Sequence, residues 1–377
     1  MTDTLVDRRR EQLLMELRTS GGRRVVDLAA SLRVSRATVR RDLIDLEQEG
    51  LVQRVRGGAI PAGGSAPADH TPPARPHPAA PGLGTLGLLV PSATYYYPQI
   101  IAGVRAAAAA RAARVVISLS DYAHEQDAER IMELRHAGVA GLLVASPHGH
   151  GLTPQTYAHL TATGLPFVLI ERRPPNPFLP CEFAVTDHRQ GAYTAIRHLQ
   201  ELGHRRVALF TNGSPTAALL QQGHTAAVRH LELAPGAPVI DSGRPNLGSA
   251  EAISHYDRFL DACQGTSVRA ALVHSDHDAI ELMRRMAARG LRAPDDLALI
   301  AYDDEIACLA DVPLTAVAPP KHDVGAQAAG LLLDRLEQSA SGRPLLPVRQ
   351  VHLQPRLVVR DSCGGSKQPD RHVNFGL

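Results

Sequence analysis

Residues 182–210 read EFAVTDHRQGAYTAIRHLQELGHRRVALF, and this stretch decides the fold. It opens with EFAVT (182–186) and closes with RRVALF (205–210), and 188–203 between them reads as a helix. The apolar runs are continuous rather than alternating, which marks strands buried on both faces, as in parallel sheets. The same alternation extends in both directions. TLGLLV (85–90), ARVVISL (113–119), VAGLLVA (139–145) and LPFVLI (165–170) precede it, and AALVHS (270–275) and LALIAY (297–302) follow. Helical segments are expected near 98–112, 125–137, 215–232, 248–262, 276–289 and 322–339. Strand–helix alternation sustained over ~275 residues predicts an α/β architecture of doubly wound parallel sheets, in two lobes rather than one. No repeat of solenoid period is visible.

The rest of the chain is bounded by composition. Its 377 residues are 44% hydrophobic and 21% charged, which excludes wholesale disorder. At roughly 100–200 residues per domain, two or three domains are expected. Forty Lys plus Arg against 38 Asp plus Glu give a net charge of +2 that points to no partner class. Lys321 and Lys367 are the only lysines, so the basic residues are almost all Arg. Residues 1–60 hold 12 Arg against 9 acids, a small excess at one end.

The N-terminal MTDTLVDRRREQ is charged and has no apolar run behind it, unlike a signal peptide. The apolar stretches fall far short of the ~20 residues of a membrane span. The expected location is the cytoplasm, with no membrane partner. Cys181, Cys263, Cys308 and Cys363 lie far apart and read as free thiols. His148-x-His150 and His274-x-x-His277 lack a third ligand at fixed spacing, so no metal is expected. Gly82-x-Gly84-x-x-Gly87 precedes a strand instead of following one and is set aside as a dinucleotide fingerprint.

Residues 61–83, PAGGSAPADHTPPARPHPAAPGL, have little to bury and read as an extended linker. The expected organisation is a helical domain at 1–60, this linker, an α/β domain at 84–362 and a tail at 363–377.

In the first sixty residues, VVDLAASLR (25–33) is a short helix, and Ser35 stands as N-cap to RATVRRDLIDLEQE (36–49). On that second helix Val39, Leu43 and Leu46 form one buried stripe, with Arg36, Thr38, Arg40 and Arg41 opposite. Gly50 ends the helix, and LVQRVRGGA (51–59) reads as two short strands about a basic turn. A helix of this kind fits the major groove, where Arg grips guanine or phosphate. The blander reading of RxxxRR is a solvated face. The ordered string from Val25 to Ala59 resembles the DeoR-type winged helix-turn-helix. That resemblance implies DNA-facing roles for Ser35, Arg36, Thr38, Arg40 and Arg41, with Arg54 and Arg56 on the wing.

Residues 84–362 resemble the effector domain of LacI/GalR regulators, built like a type I periplasmic binding protein. LGLLVPSATYYYPQIIAGVRAAA, GLPFVLIERR, GAYTAIRHLQELGHRRVAL, VHSDHDAIELMRRMAARGLRAPDDLALIAYDD, PLTAVAPP and LVVRDS carry the likeness, in family order. It implies two lobes joined by three crossovers, 84–183 with about 319–347 and about 184–318 with the final strand. A ligand is then expected in the cleft, where the carboxyl ends of parallel strands also place it.

Candidate effector contacts are Ser92 and Tyr96 after the first strand, Glu171 and Arg172 after PFVLI, and Asp276 after ALVHS. Asp276 matches the family's sugar-binding Asp. Its alternative role is to cap the following helix, and the alternative for Tyr95 to Tyr97 is packing. Leu220 stands where the family places a ligand-gripping Arg, three residues before Gly223, so either the ligand is differently oriented or less polar at that end, or Arg172, Arg244 or Gln221 substitutes. Pro319 stands where some members place a polar contact. The loop TNGSPT (211–216) lines the cleft in the related family.

These readings predict a homodimeric transcription regulator, a repressor, with operator DNA and a small-molecule effector, a sugar, as partners. No cofactor and no catalytic residues are expected. The rival is a sugar-phosphate-processing enzyme with a DNA-binding appendage, which would need a phosphate loop and an acid/base pair at strand ends. A secreted solute-binding protein is the second rival.

Overall fold

The structure is a computed structural model, and it describes residues 5–20, 23–32, 34, 36–48, 51–55, 58–61, 83–120, 122–123, 126–146, 149, 151–341 and 346–365. The 61–83 linker (beyond Pro61 and Leu83), the tail after 365, Ser35, Gly50, Arg56, His148 and His150 lie outside those residues.

The N-terminal unit comprises α1 (Leu5–Ser20), β1 (Arg23–Arg24), α2 (Val25–Ser31), α3 (Arg36–Gln48), β2 (Val52–Val55) and β3 (Gly58–Pro61). Its three strands form an antiparallel sheet in the order β1-β3-β2, with Val52 opposite Pro61 and Val55 opposite Gly58. Val39, Leu43 and Leu46 of α3 are buried against Leu13 and Leu17 of α1, Leu28 of α2, Val52 and Ala59. Each such apolar side chain contributes about 1.5–3 kcal/mol. Asp42, on the same buried face, accepts a two-pronged contact from Arg9: Nε donates at 2.6 Å and Nη2 at 3.0 Å.

The first lobe is a fully parallel sheet in the order β14-β8-β7-β6-β4-β5. Its strands are β4 (Thr85–Val90), β5 (Arg114–Leu119), β6 (Gly141–Val144), β7 (Phe167–Ile170), β8 (Glu182–Thr186) and β14 (Gln350–Leu353). Leu86, Leu88 and Val90 point to the face covered by α4 (Tyr97–Ala110) and α11 (Lys321–Ser341). Leu89 points to the other face, under α5 (Asp127–His136) and α6 (Pro154–Ala162). Burial on both faces is why the strand reads as an unbroken apolar run. Helices α4 and α11 cross closely: a Cβ on Gly103 would collide with the His322 carbonyl, and one on Gly325 with the Ile100 carbonyl.

The second lobe runs in the order β10-β9-β11-β12-β13-β15, parallel except for β15 against β13. Its strands are β9 (Ala208–Thr211), β10 (Val239–Asp241), β11 (Ala270–His274), β12 (Ala298–Tyr302), β13 (Thr315–Ala318) and β15 (Arg356–Val358). Helices α7 (His188–Glu201) and α8 (Ala217–His230) cover one face, and α9 (Ala250–Gly265) and α10 (Asp276–Ala288) the other.

The doubly wound two-lobed architecture is as expected, and the division between the lobes is corrected in two places. β8 and β14 both pair within the first sheet, so the first lobe takes residues through Thr186 and regains 350–353. β14 is an edge strand of alternating exposure, QVHL, so it lacks the continuous apolar run by which its neighbours are legible. Helix α6 is a further addition. It is short, with Pro154 in its first turn and Thr153 accepting the Thr156 N–H at 3.0 Å, and its apolar periodicity is weak. Among the described residues no helix is long and apolar enough to cross a membrane.

Candidate functional site

On the N-terminal unit, α3 presents the surface opposite its buried stripe. Arg41 is exposed and Thr38 half-buried, while Ser35, Arg56 and the side chains of Arg36 and Arg40 lie outside the described residues. Arg54, on the wing strand β2, is held by Glu47 of α3: its Nε donates to Oε2 at 2.7 Å and its backbone N–H to Oε1 at 2.8 Å. Those Arg54 contacts hold the Glu47 carboxyl below its usual range. The wing is thereby braced against the helix.

Each six-stranded sheet reverses its winding at one point, between β4 and β6 in the first lobe and between β9 and β11 in the second. Loops diverge there at the carboxyl ends of the strands and leave a crevice. The two crevices face each other across a cavity of about 170 Å³. Every wall segment follows a strand. Tyr95 to Tyr97 come after β4, Tyr122 after β5, Glu171 and Arg172 after β7, His188 after β8, Asn212 and Ser214 to Thr216 after β9, and Arg244 after β10. His274 ends β11, Ser275 follows it, and Asp303 comes after β12.

Four of these wall residues hold backbone conformations that L-residues seldom adopt: Tyr95 (φ 55°), Tyr122 (φ 60°), Glu171 (φ 54°) and Asp303 (φ 72°). Such positions cost on the order of 1–3 kcal/mol each and cluster at ligand clamps and active sites.

Glu171 is buried, and its Oε1 accepts from the Tyr96 hydroxyl (2.9 Å) and Thr186 Oγ1 (2.6 Å), its Oε2 from the Thr186 N–H (3.0 Å). Burial alone raises its carboxyl. The hydrogen bond and charge of His188, whose Nε2 lies 3.5 Å from Oε2, and the Thr186 bonds outweigh that and bring it down to about 2. Arg172 is locked beside it, with Nε on the Ser146 carbonyl and Nη1 on the Glu171 carbonyl at 2.7 Å.

Across the cavity, burial pushes Asp303 up, but neighbouring groups, the Lys321 ammonium foremost, keep it below the usual carboxylate range. Lys321 Nζ lies 3.4 Å from Asp303 Oδ1, donates to Glu305 Oε1 at 2.7 Å and sits 4.4 Å from the Tyr96 ring centre. Asp303 Oδ1 is buried and accepts no hydrogen bond among the described residues, and the same holds of His274 Nδ1. A buried acceptor left unpaired costs about 1–3 kcal/mol.

Of the residues singled out from the sequence, Tyr96, Glu171 and Arg172 come together on this wall, with Arg244 and the TNGSPT loop. Ser92 stands off it, its Oγ 3.3 Å from the Thr94 carbonyl and 3.4 Å from the Tyr122 hydroxyl. Gln221, on α8, is not part of the wall, and Leu220 is buried between α8 and the sheet.

Asp276 is placed differently from either sequence expectation. Its carboxylate is fully buried; Oδ1 accepts the Tyr95 hydroxyl at 2.6 Å, and Oδ2 accepts the N–H groups of Glu305 (2.9 Å) and Ile306 (2.7 Å). Burial holds it above its usual range. The cap of α10 is Ser275, whose backbone N–H and hydroxyl both donate to Asp278.

Asp303, His188 and Lys321 were not singled out in the sequence, and His274 was weighed only as a metal ligand. The strand-end rule that singled out Asp276 after AALVHS applies equally to Asp303 after LALIAY. For Lys321 no sequence signal exists, since it becomes buried only where the third crossover brings α11 against the second lobe.

Comparison with known proteins finds two kinds of domain in the chain. The DeoR-like helix-turn-helix domain matches residues 9–62. Periplasmic binding proteins and the sugar binding domain of the LacI family match 83–235, and the periplasmic binding protein-like domain matches 196–363. The chain is 25% identical over 341 residues to the arabinose metabolism transcriptional repressor of Geobacillus stearothermophilus, covering 89% of both chains. It is 27% identical over 346 residues to the repressor of the same description from Halalkalibacterium halodurans, covering 90% of both. Among solved structures, the transcriptional regulator CelR in complex with cellobiose superposes with a TM-score of 0.62 at 24% identity, over 87% of this chain and 91% of that one. At that identity the likeness is one of fold.

Proposed function

We propose, for a chain that belongs to the transcriptional repressors joining a DeoR-like helix-turn-helix to a LacI-type effector domain, that a small sugar bound between the lobes controls its hold on operator DNA. The observation that carries this reading is the convergence of buried, oriented polar groups on one cavity, with Asp303 Oδ1 still lacking a hydrogen-bond donor. At about 10–15 Å³ per water, the cavity of about 170 Å³ holds roughly 11–17 waters' worth of ligand, the scale of a monosaccharide. Tyrosine rings offer a face for stacking, and Glu171, Arg172, Asn212, Arg244, His274 and Asp303 offer donors and acceptors on both sides. Ser92, Gln221 and Asp276 fall outside this contact set, because the first two stand off the wall and protein groups fill the third.

The DNA-contacting set is Ser35, Arg36, Thr38, Arg40 and Arg41 with the wing residues Arg54 and Arg56, presented by two copies of the chain in the cytoplasm. The working units are 1–60 and 84–362, joined by the linker 61–83 and followed by the tail 363–377. Regulation requires the sugar to favour one lobe arrangement, since equal affinity for both shifts nothing. The enzyme alternative is not favoured: the relatives that match 89–90% of the chain are repressors.

The test is a thermal-shift and calorimetric panel of aldopentoses, arabinose among them, aldohexoses and the disaccharide cellobiose, against free nucleobases. A sugar that binds should stabilise the protein by RT ln(1 + [L]/Kd) and change its affinity for operator DNA. Binding of a nucleobase with no sugar binding overturns the sugar reading.

A further inference from the structure

His274 closes β11, whose other four residues are Ala, Ala, Leu and Val, all buried. Its ring is 5% exposed and packs edge-on to Tyr302, the centres 5.7 Å apart. Nε2 faces Asp303 Oδ2 at 3.8 Å. Nδ1 is buried without a hydrogen bond among the described residues, and the residue forms part of the cavity wall. An apolar side chain would fill this strand end without the penalty of an unpaired nitrogen.

The protonation state follows from the surroundings. Burial lowers the basicity of the ring, so it is neutral, although Asp303 opposes the shift. A lone pair on Nε2 would face the Asp303 carboxylate and be repelled. The single proton therefore sits on Nε2, and Nδ1 is left as an acceptor. His274 and Asp303, at the ends of adjacent strands, thus both line the cavity on the second lobe, and each holds one buried acceptor without a hydrogen bond among the described residues, Nδ1 and Oδ1, the latter with Lys321 Nζ 3.4 Å away. Hydroxyl groups supply donors; ring oxygens, ethers and deoxy positions do not.

We propose that His274 is a specificity-determining residue of the effector site: its Nδ1 accepts a hydrogen bond from one hydroxyl of the ligand while Asp303 Oδ1 accepts from another. The ligand class is a polyol that turns two free hydroxyls toward the second lobe. This rests on the reading of the cavity as a sugar site.

The experiment uses the full-length protein and the sugar of the panel that binds it most tightly, together with the monodeoxy analogues of that sugar. His274→Asn places an amide oxygen near the Nδ1 position, His274→Gln reaches toward the Nε2 position instead, and His274→Ala offers neither. Thermal midpoints report folding of each variant. The expected result is that H274A and H274Q bind at least about tenfold more weakly while H274N stays within about threefold of wild type. One monodeoxy analogue should bind wild type at least about tenfold more weakly than the parent sugar, and H274A should not discriminate against it. Wild-type affinity in H274A, or equal weakening in all three variants, overturns the assignment of His274 while the sugar site stands. Binding of no sugar by wild type overturns both.

Discussion

The Tyr95 hydroxyl of the first lobe donates to Asp276 Oδ1 of the second at 2.6 Å and lies 3.3 Å from Asp303 Oδ2. The same Asp276 carboxylate holds the amides of Glu305 and Ile306, so one tyrosine is tied to the loop that leads out of β12. A ligand reaches Asp276 only by displacing Tyr95.

Tyr95→Phe removes one donor from a buried carboxylate, an interaction worth about 1.5–3 kcal/mol. The urea midpoint should fall accordingly. Asp276→Asn should destabilise as well, and the double variant should lose less than the sum, because the two residues act on each other. Additive losses, or a midpoint unmoved by Tyr95→Phe, would show that the contact does not tie the lobes.

Arg40→Ala with Arg41→Ala should abolish selective operator binding. Loss of one base contact is worth about 1–3 kcal/mol, roughly five- to 150-fold in affinity. Arg41 is exposed and the helix is anchored by Val39, Leu43 and Leu46, so the thermal midpoint should not move. A footprint that survives at wild-type affinity removes α3 from the major groove.

Glu47→Ala releases Arg54 from its brace. A freed guanidinium on the wing gains access to phosphate, so non-specific DNA affinity should rise. The slope of log K against log salt should steepen by ~0.9 for one added phosphate contact. An unchanged slope would mean that Arg54 serves only to hold the wing.

Glu171 carries a pH signature. Its carboxyl titrates at about 2 in the folded protein, below the ordinary value near 4.5. Between those values the unfolded chain binds the proton and the folded one does not, so stability rises with pH there. The contribution is therefore complete above about pH 5 and is lost as pH falls toward 2; a shift of that size corresponds to about 3 kcal/mol. Urea midpoints compared at pH 5 and pH 3 should fall more steeply for wild type than for Glu171→Gln. Equal slopes would show that Glu171 is not held ionised by its neighbours.

The sequence by itself determined the architecture, because burial writes a local pattern. Strands covered on both faces read as unbroken apolar runs, as in TLGLLV and LALIAY, and the stripe Val39, Leu43, Leu46 orients α3 without reference to any distant residue. Elements whose stability comes from neighbours are not legible in this way. The edge strand QVHL and the short helix at 154–162 carry no strong period, and only their packing reveals them.

The site divides along the same line. Tyr96, Glu171 and Arg172 were legible because each follows an apolar strand, and loops after parallel strands face the crevice. Which strand-end groups are open to a ligand was decided by tertiary structure alone. Asp276 and Asp303 look alike in sequence, each an aspartate just beyond a buried strand. Tyr95 and the amides of Glu305 and Ile306, 181, 29 and 30 residues away, fill the first. Lys321, arriving from the third crossover, neutralises the second but leaves one oxygen without a hydrogen bond. The capacity of a carboxylate is spent on whatever donors the fold brings within about 3 Å of it, and no local pattern records partners that far away along the chain.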